Sequence, residues 1–343
     1  MSTVCILGAG SWGTALSTVL ARSNHEVRLW GLADDGIEAM ARLRENKRYL
    51  PGVPLDDAIH PLTDMQSALE DAELVISSVP SQAVRQVLEQ AQPYIKPKTY
   101  LVNTSKGLEV SSGKRMGQIF QDVFGKEYAD RYYGVLSGPS HAEEVGRNIP
   151  TLITLAAHHP DTATAIQEYF TAAMFRVYTN SDIAGVEMGG TFKNIVALAA
   201  GGLDGLGYGD NTIAALITRG LAEMIRFGTA LGGDSRTFTG LSGLGDMVVT
   251  CSSPYSRNRR AGVMMAQGKK LPVILKEVGM VVEGVTATNV VYKVASNKGI
   301  EMPICHAIYK ILYEEGDPRE EVYNLMIRQQ KEEIDDYTGV YYF

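Results

Sequence analysis

The sequence predicts an α/β domain built on a mainly parallel sheet, followed by an all-α domain. Three observations predict it. Strand-like and helix-like runs alternate through the first half, strand-like runs nearly vanish after residue 182, and 343 residues exceed what one hydrophobic core usually organises. The boundary falls between 182 and 183, giving expected domains 1–182 and 183–343.

The first element is TVCIL (3–7), a short β-rich run. It leads into CILGAGSWGTALSTVLA (5–21), which sets Gly8, Gly10 and Gly13 in GxGxxG spacing ahead of a helical pattern with Leu16, Val19 and Leu20. The glycines have distinct tasks: a tight turn, close backbone approach to a pyrophosphate, and close helix–strand packing. The helix start then offers its N–H groups and dipole to the phosphates. Such a turn, opening a βα series, points to dinucleotide binding on a Rossmann-like sheet. The second strand, EVRLW (26–30), should close on an acid for the ribose 2′-OH of NAD, or near an arginine for the 2′-phosphate of NADP. Gly31 and Leu32 stand there instead, Asp34 and Asp35 come late, and Arg28 lies within the strand. NAD and NADP both stay open as the cofactor.

Further strands are expected at 74–79, 99–103, 133–138 and 151–156, with a helix over 81–91 whose Val84, Val87, Leu88 and Ala91 share one face. LVNTSKGLE (101–109) puts Lys106 just past a strand's carboxyl end, where open α/β sheets bind ligands. LSGPSHAEEV (136–145) repeats the arrangement, with Gly138, Pro139 and Ser140 leading from strand to helix. An ordinary turn with a serine cap would account for either segment. Their shared placement on the cofactor-binding edge favours function.

The second half reads as helices over 184–203, 211–232, 259–267, 286–298 and 303–314, the last with Ile304, Ile308, Ile311 and Leu312 at helical spacing. In the first of them, GVEMGGTFKNIVALAAGGLDGLG (185–207), Lys193 shares a face with Val196, Ala197 and Ala200. A buried ammonium is costly, so either its stem snorkels to water or a function retains it. GLSGLGDMVVTCSSPYSRNRRAG (240–262) sets Asp246 after two glycine-rich turns and gathers Ser256, Arg257, Asn258, Arg259 and Arg260. Guanidinium forks suit phosphate oxygens; the alternative is a solvated basic patch.

The net charge of −7 argues against general nucleic-acid affinity and against a polybasic membrane anchor. Cys5, Cys251 and Cys305 are scattered, odd in number and without CxxC spacing, which fits a reducing compartment and neither a disulfide framework nor a metal site. No run of 18 apolar residues occurs, and the N-terminus reads as a strand, so a soluble cytoplasmic protein is expected. A homodimer is kept as an expectation, although no residue pattern specifies the oligomeric state. The aromatic stretch 335–343 has no assigned role.

A dinucleotide fingerprint, two cleft lysines and an anion-binding cluster together suit hydride transfer to a ketone, in which an ammonium polarises the carbonyl and protonates the developing alkoxide. That gives Lys193 a catalytic reason to interrupt its helix. The blocks GAGSWGTALS, VNTSKGLE, LSGPSHAEEV, GGTFKNIVALAAG, TFTGLSGLGDMVVTCSSPYSRNRRAG, VVEGVTAT and EMPICHAIYKILYE, in this order, resemble the bacterial-type NAD(P)-dependent sn-glycerol-3-phosphate dehydrogenases over nearly the whole chain. The resemblance implies interconversion of dihydroxyacetone phosphate, a small phosphate substrate, and glycerol 3-phosphate for glycerophospholipid synthesis. It implies Lys193 as the proton acceptor/donor and Lys106 as a contact to both cofactor and substrate. Gly138, Ser140, Asp246, Ser256, Arg257 and Asn258 match substrate positions, Arg257 also reaching the cofactor. Ser11, Trp12, Ala142, Val281 and Glu283 match cofactor contacts. Leu32 departs from the basic residue or histidine common near that strand end. The rivals are a β-hydroxyacid dehydrogenase with a lysine acid/base and a dinucleotide sensor without turnover, the latter needing no buried lysine.

Overall fold

A computed structural model describes residues 1–330, 332 and 333, so the stretch 335–343 lies outside the described residues. The chain divides into two compact units, one formed by 1–105 with 115–183, the other by 106–114 with the chain from 184 on.

The first unit holds one sheet of eight strands: β1 (Thr3–Leu7), β2 (Glu26–Trp30), β3 (Ile59–Leu62), β4 (Leu74–Ser77), β5 (Tyr100–Asn103), β6 (Tyr133–Ser137), β7 (Thr151–Ala157) and β8 (Phe175–Asn180), in the order β3-β2-β1-β4-β5-β6-β7-β8. All neighbours are parallel except the antiparallel pair β6 and β7. β4 and β6 are buried along their whole length, as strands covered on both faces must be. β1 has β2 on one side and β4 on the other, so the sheet order reverses at its carboxyl end, where the fold binds ligands. Helix α1 (Ser11–Arg22) leaves from that point, α2 (Val84–Ala91) buries the four residues expected, and the short α3 (Ala142–Gly146) follows β6. β3 and β8 escape the sequence reading for one reason: both are edge strands. β3 (IHPL) carries a proline that only an edge tolerates, and β8 buries only alternate residues at its start, so neither shows a continuous apolar run.

The second unit contains α4 (Ile183–Gly205), α5 (Asp210–Ala230), α6 (Asp246–Ser252), α7 (Arg257–Ala266), α8 (Leu271–Val278), α9 (Glu283–Lys298), α10 (Pro303–Tyr313) and α11 (Pro318–Met326). Residues 185–203 of α4 are buried without exception, the signature of a helix apolar all round and packed at the centre. Its glycines let neighbours in: a Cβ at Gly201 would lie 1.9 Å from the Arg259 carbonyl oxygen, so the backbone of α7 rests directly on α4. In α5, the buried Glu223 carboxylate accepts the Ile304 N–H (2.6 Å) and the Cys305 N–H (3.2 Å), capping the start of α10. Burial outweighs those bonds and pushes this carboxyl up to about 7. Among the described residues no helix is long and apolar enough to cross a membrane, and all three cysteines are buried free thiols.

Candidate active site

Lys106, Lys193 and Asp246 meet inside the helical unit. Lys193 reaches the spot because α4 carries it at mid-length, and Asp246 because a π-helical turn over Leu241–Gly245 ends where α6 begins. Lys193 Nζ donates to Asp246 Oδ1 at 2.6 Å, and Lys106 Nζ donates to Asp246 Oδ2 at 2.5 Å. One carboxylate thus divides its oxygens between two ammoniums. Asp246 is 1% exposed and Lys193 8%, so Lys193 does not snorkel; its charge is met inside the protein.

Thr250 completes the arrangement. Its hydroxyl donates to the Asp246 carbonyl one turn back (2.6 Å), which leaves a lone pair to accept from Lys193 Nζ at 2.8 Å. Among the described residues, two of the three N–H bonds of Lys193 are thereby fixed, and the third is directed by them. Burial pulls the Lys193 ammonium down, Asp246 pulls it back up and Lys106 lowers it again; the result is about 8. For Asp246, burial alone would raise the carboxyl, but Lys106 and then Lys193 overcome it and hold it below the usual carboxylate range.

The start of α7 lies in the same unit. Ser256 caps it, its hydroxyl oxygen accepting the Arg259 N–H at 3.2 Å, and Arg257 is the half-buried first residue. Asn258 is buried and tied on both sides: its Nδ2 donates to Asn194 Oδ1 (2.8 Å), and its Oδ1 accepts the Gly284 N–H (2.9 Å). Since Asn194 follows Lys193 in α4, these bonds link the lysine's helix to the starts of α7 and α9, where Glu283 is the first residue and Val281 lies exposed just ahead. Arg259 turns instead to Asp204 (2.9 Å), so the five-residue donor cluster read from the sequence narrows at that position.

The remaining expected residues belong to the sheet unit. Gly8 sits at φ +117°, and a Cβ on Gly13 would lie 1.9 Å from the Gly8 carbonyl oxygen, so the turn closes only with glycine at both places. A Cβ at Gly10 would meet nothing within 4 Å, and no side chain caps α1, whose first residues are Ser11 and Trp12. Open space against uncapped helix N–H groups fits a dinucleotide pyrophosphate. Ser140 Oγ donates to the Gly138 carbonyl (2.9 Å), shaping the turn after β6, and Ala142 opens α3.

Sequence reasoning passed over Thr250 and Asn194. Thr250 had a signal, since it lies four residues after Asp246 in GDMVVT and so on the same helix face. Asn194 had none beyond adjacency to Lys193.

Comparison with known proteins matches residues 3–163 to the family described as NAD-dependent glycerol-3-phosphate dehydrogenase N-terminus, and residues 182–323 to the C-terminus of the same family. A relative from Syntrophomonas wolfei, named glycerol-3-phosphate dehydrogenase [NAD(P)+], is 54% identical over 98% of this chain and 98% of its own. One of the same name from Carboxydothermus hydrogenoformans is 50% identical over 96% and 98%. The crystal structure of glycerol-3-phosphate dehydrogenase from Coxiella burnetii superposes with a TM-score of 0.90 at 39% identity, covering 95% of this chain and 99% of that one. With a glycine turn shaped for a dinucleotide, a buried lysine held by a carboxylate, and relatives matching end to end, the chain belongs to the NAD-dependent glycerol-3-phosphate dehydrogenase family.

Proposed function

We propose that the protein interconverts dihydroxyacetone phosphate and sn-glycerol 3-phosphate with NAD or NADP, and that Lys193 moves the proton at the C2 oxygen. The observation that carries this reading is a buried lysine, near pKa 8, with two N–H bonds committed to Asp246 and Thr250. An ammonium near that value gives up a proton readily at neutral pH, and the amine that remains can take one back in the reverse direction.

When bound, the nicotinamide supplies or accepts the hydride. Gly8, Gly10, Gly13, Ser11 and Trp12 would hold its pyrophosphate end, with Ala142, Val281, Glu283 and Arg257 as further cofactor contacts. Arg257, Ser256 and Asn258 hold the substrate phosphate, Gly138 and Ser140 present the turn that meets the substrate, and Lys106 contacts both molecules. Asp246 fixes the two ammoniums through its two oxygens, and its charge raises the Lys193 pKa against burial. Positioning and fixed charge then stabilise the developing alkoxide. Three free buried thiols support a cytoplasmic location as part of this proposal, and a homodimer goes with it as an expectation from the sequence.

The test is nicotinamide absorbance with dihydroxyacetone phosphate, run with NADH and with NADPH, for the natural protein and Lys193→Ala. Turnover is expected, with a loss of about 100-fold or more in the variant. Near-normal turnover by Lys193→Ala refutes the role of Lys193. Absence of turnover with either cofactor, alongside turnover of a β-hydroxyacid, refutes the substrate.

A further inference from the structure

We infer that Arg48 reads the 2′-phosphate of NADP, and that through it this chain prefers NADP(H) to NAD(H); the inference rests on the dinucleotide reading above. The adenosine ribose of a dinucleotide on this fold lies at the carboxyl end of β2. Gly31 and Leu32, the residues directly after β2, offer no acid for the 2′-OH. Gly31 is walled in, since a Cβ on it would lie 2.5 Å from Ile37 Cδ1, and Leu32 is 61% exposed and apolar. Asp35 is committed: one carboxylate oxygen accepts the Leu32 N–H at 3.1 Å, the other the Tyr49 hydroxyl at 2.9 Å. Arg28 is spent on Glu26 and on the Ser67 and Glu70 carbonyls.

Arg48 reaches the spot by a different route. Residues 46–49 are sewn to the glycine turn on one side: Asn46 Nδ2 donates to the Ala9 carbonyl (2.9 Å) and to Thr14 Oγ1 (2.8 Å), and Ser11 Oγ donates to the Tyr49 carbonyl (2.7 Å). They are sewn to the end of β2 on the other, through the Tyr49–Asp35 bond and a hydrogen bond from Arg48 to the Asp34 carbonyl. The Arg48 guanidinium lies 5.0 Å from the centre of the Tyr49 ring, a cation–π contact that steadies it while the side chain stays exposed. A guanidinium is thus held between the pyrophosphate turn and the ribose end. Its fork matches a phosphate, whereas NAD presents only a hydroxyl at that carbon. The competing group is the exposed Asp34 carboxylate, which would favour NAD.

The experiment is calorimetric titration of the full-length protein with NADP+ and NAD+, and with 2′,5′-ADP and 5′-AMP, which differ by the 2′-phosphate alone. One charge-assisted phosphate contact corresponds to about a 10- to 100-fold preference for the 2′-phosphorylated member of each pair. Arg48→Ala should bring both ratios to within about threefold of one, Arg48→Lys should retain part of the preference, and Asp34→Asn should keep or increase it. Thermal melts check that each variant is folded. Equal or tighter binding of NAD+ by the natural protein overturns the inference, as does an Arg48→Ala ratio equal to the natural one, while turnover of dihydroxyacetone phosphate with NADH in either case leaves the function standing. If neither dinucleotide binds, both readings fall together.

Discussion

Raising the pH from 7 to 9 should slow the reduction of dihydroxyacetone phosphate and speed the oxidation of glycerol 3-phosphate, each by about tenfold in kcat/KM. The magnitude follows from Lys193, whose ammonium is brought down to about 8 by burial against the opposing pull of Asp246. Its protonated fraction falls from about 0.9 at pH 7 to about 0.1 at pH 9, whereas an ordinary lysine would stay almost fully charged over that window. Reduction needs the proton on the nitrogen and oxidation needs it gone, so the two directions bend oppositely around pH 8. The window also clears the second ionisation of the substrate phosphate, near pH 6. Initial rates in both directions at fixed ionic strength, with saturating cofactor, make the measurement. Asp246→Asn removes the carboxylate that keeps the ammonium charged, so the bend should move to lower pH. Stability follows the same group: its folded value lies below the unfolded 10.5, so the folded protein binds fewer protons between about 8 and 10.5, and this contribution to stability grows with pH there. A flat profile in both directions, or a bend that Asp246→Asn leaves in place, refutes the assignment.

Three further outcomes are expected. Arg257→Ala should raise KM for dihydroxyacetone phosphate at least tenfold while hydroxyacetone, which lacks the phosphate, is little affected; equal losses on both count against a phosphate role. Gly13→Ala forces a Cβ into the Gly8 carbonyl and should cost about 1–3 kcal/mol in denaturant titration, with dinucleotide binding weakened alongside. Glu223→Gln should flatten the fall in stability between pH 5 and 7. The buried carboxyl takes up its proton near 7 when folded and near 4.5 when unfolded, so its contribution is full below 4.5 and lost as pH rises through 7. Thermal melts across that range read it, and an unchanged slope places the effect elsewhere.

Much of the site was legible because its residues violate local expectation. A lysine on an apolar helix face and three glycines in fixed spacing each announce a demand that packing alone does not make. Covered strands were legible from their apolar runs, and the edge strands β3 and β8 were not, because half-solvated strands carry weak patterns. Long-range partners left no local trace. Nothing near Arg259 tells that Asp204 takes it, and nothing near β2 tells that the chain returns eighteen and nineteen positions after Trp30 to set Arg48 and Tyr49 against its end. Thr250 could have been found by asking what shares a helix face with Asp246.

The chain passes between its two units three times, at 105/106, 114/115 and 183/184, and the short excursion 106–114 has a consequence for modularity. It carries Lys106, whose carboxylate partner lies 140 residues further on, and Leu108, which is buried in the helical unit's core. A single cut at 183 therefore does not yield two self-sufficient halves: the C-terminal piece would lack an ammonium and a core side chain, and the N-terminal piece would display both without a home. Exchange of the sheet unit between relatives, whether by recombination or by a protein engineer altering cofactor use, must leave these nine residues with the helical half.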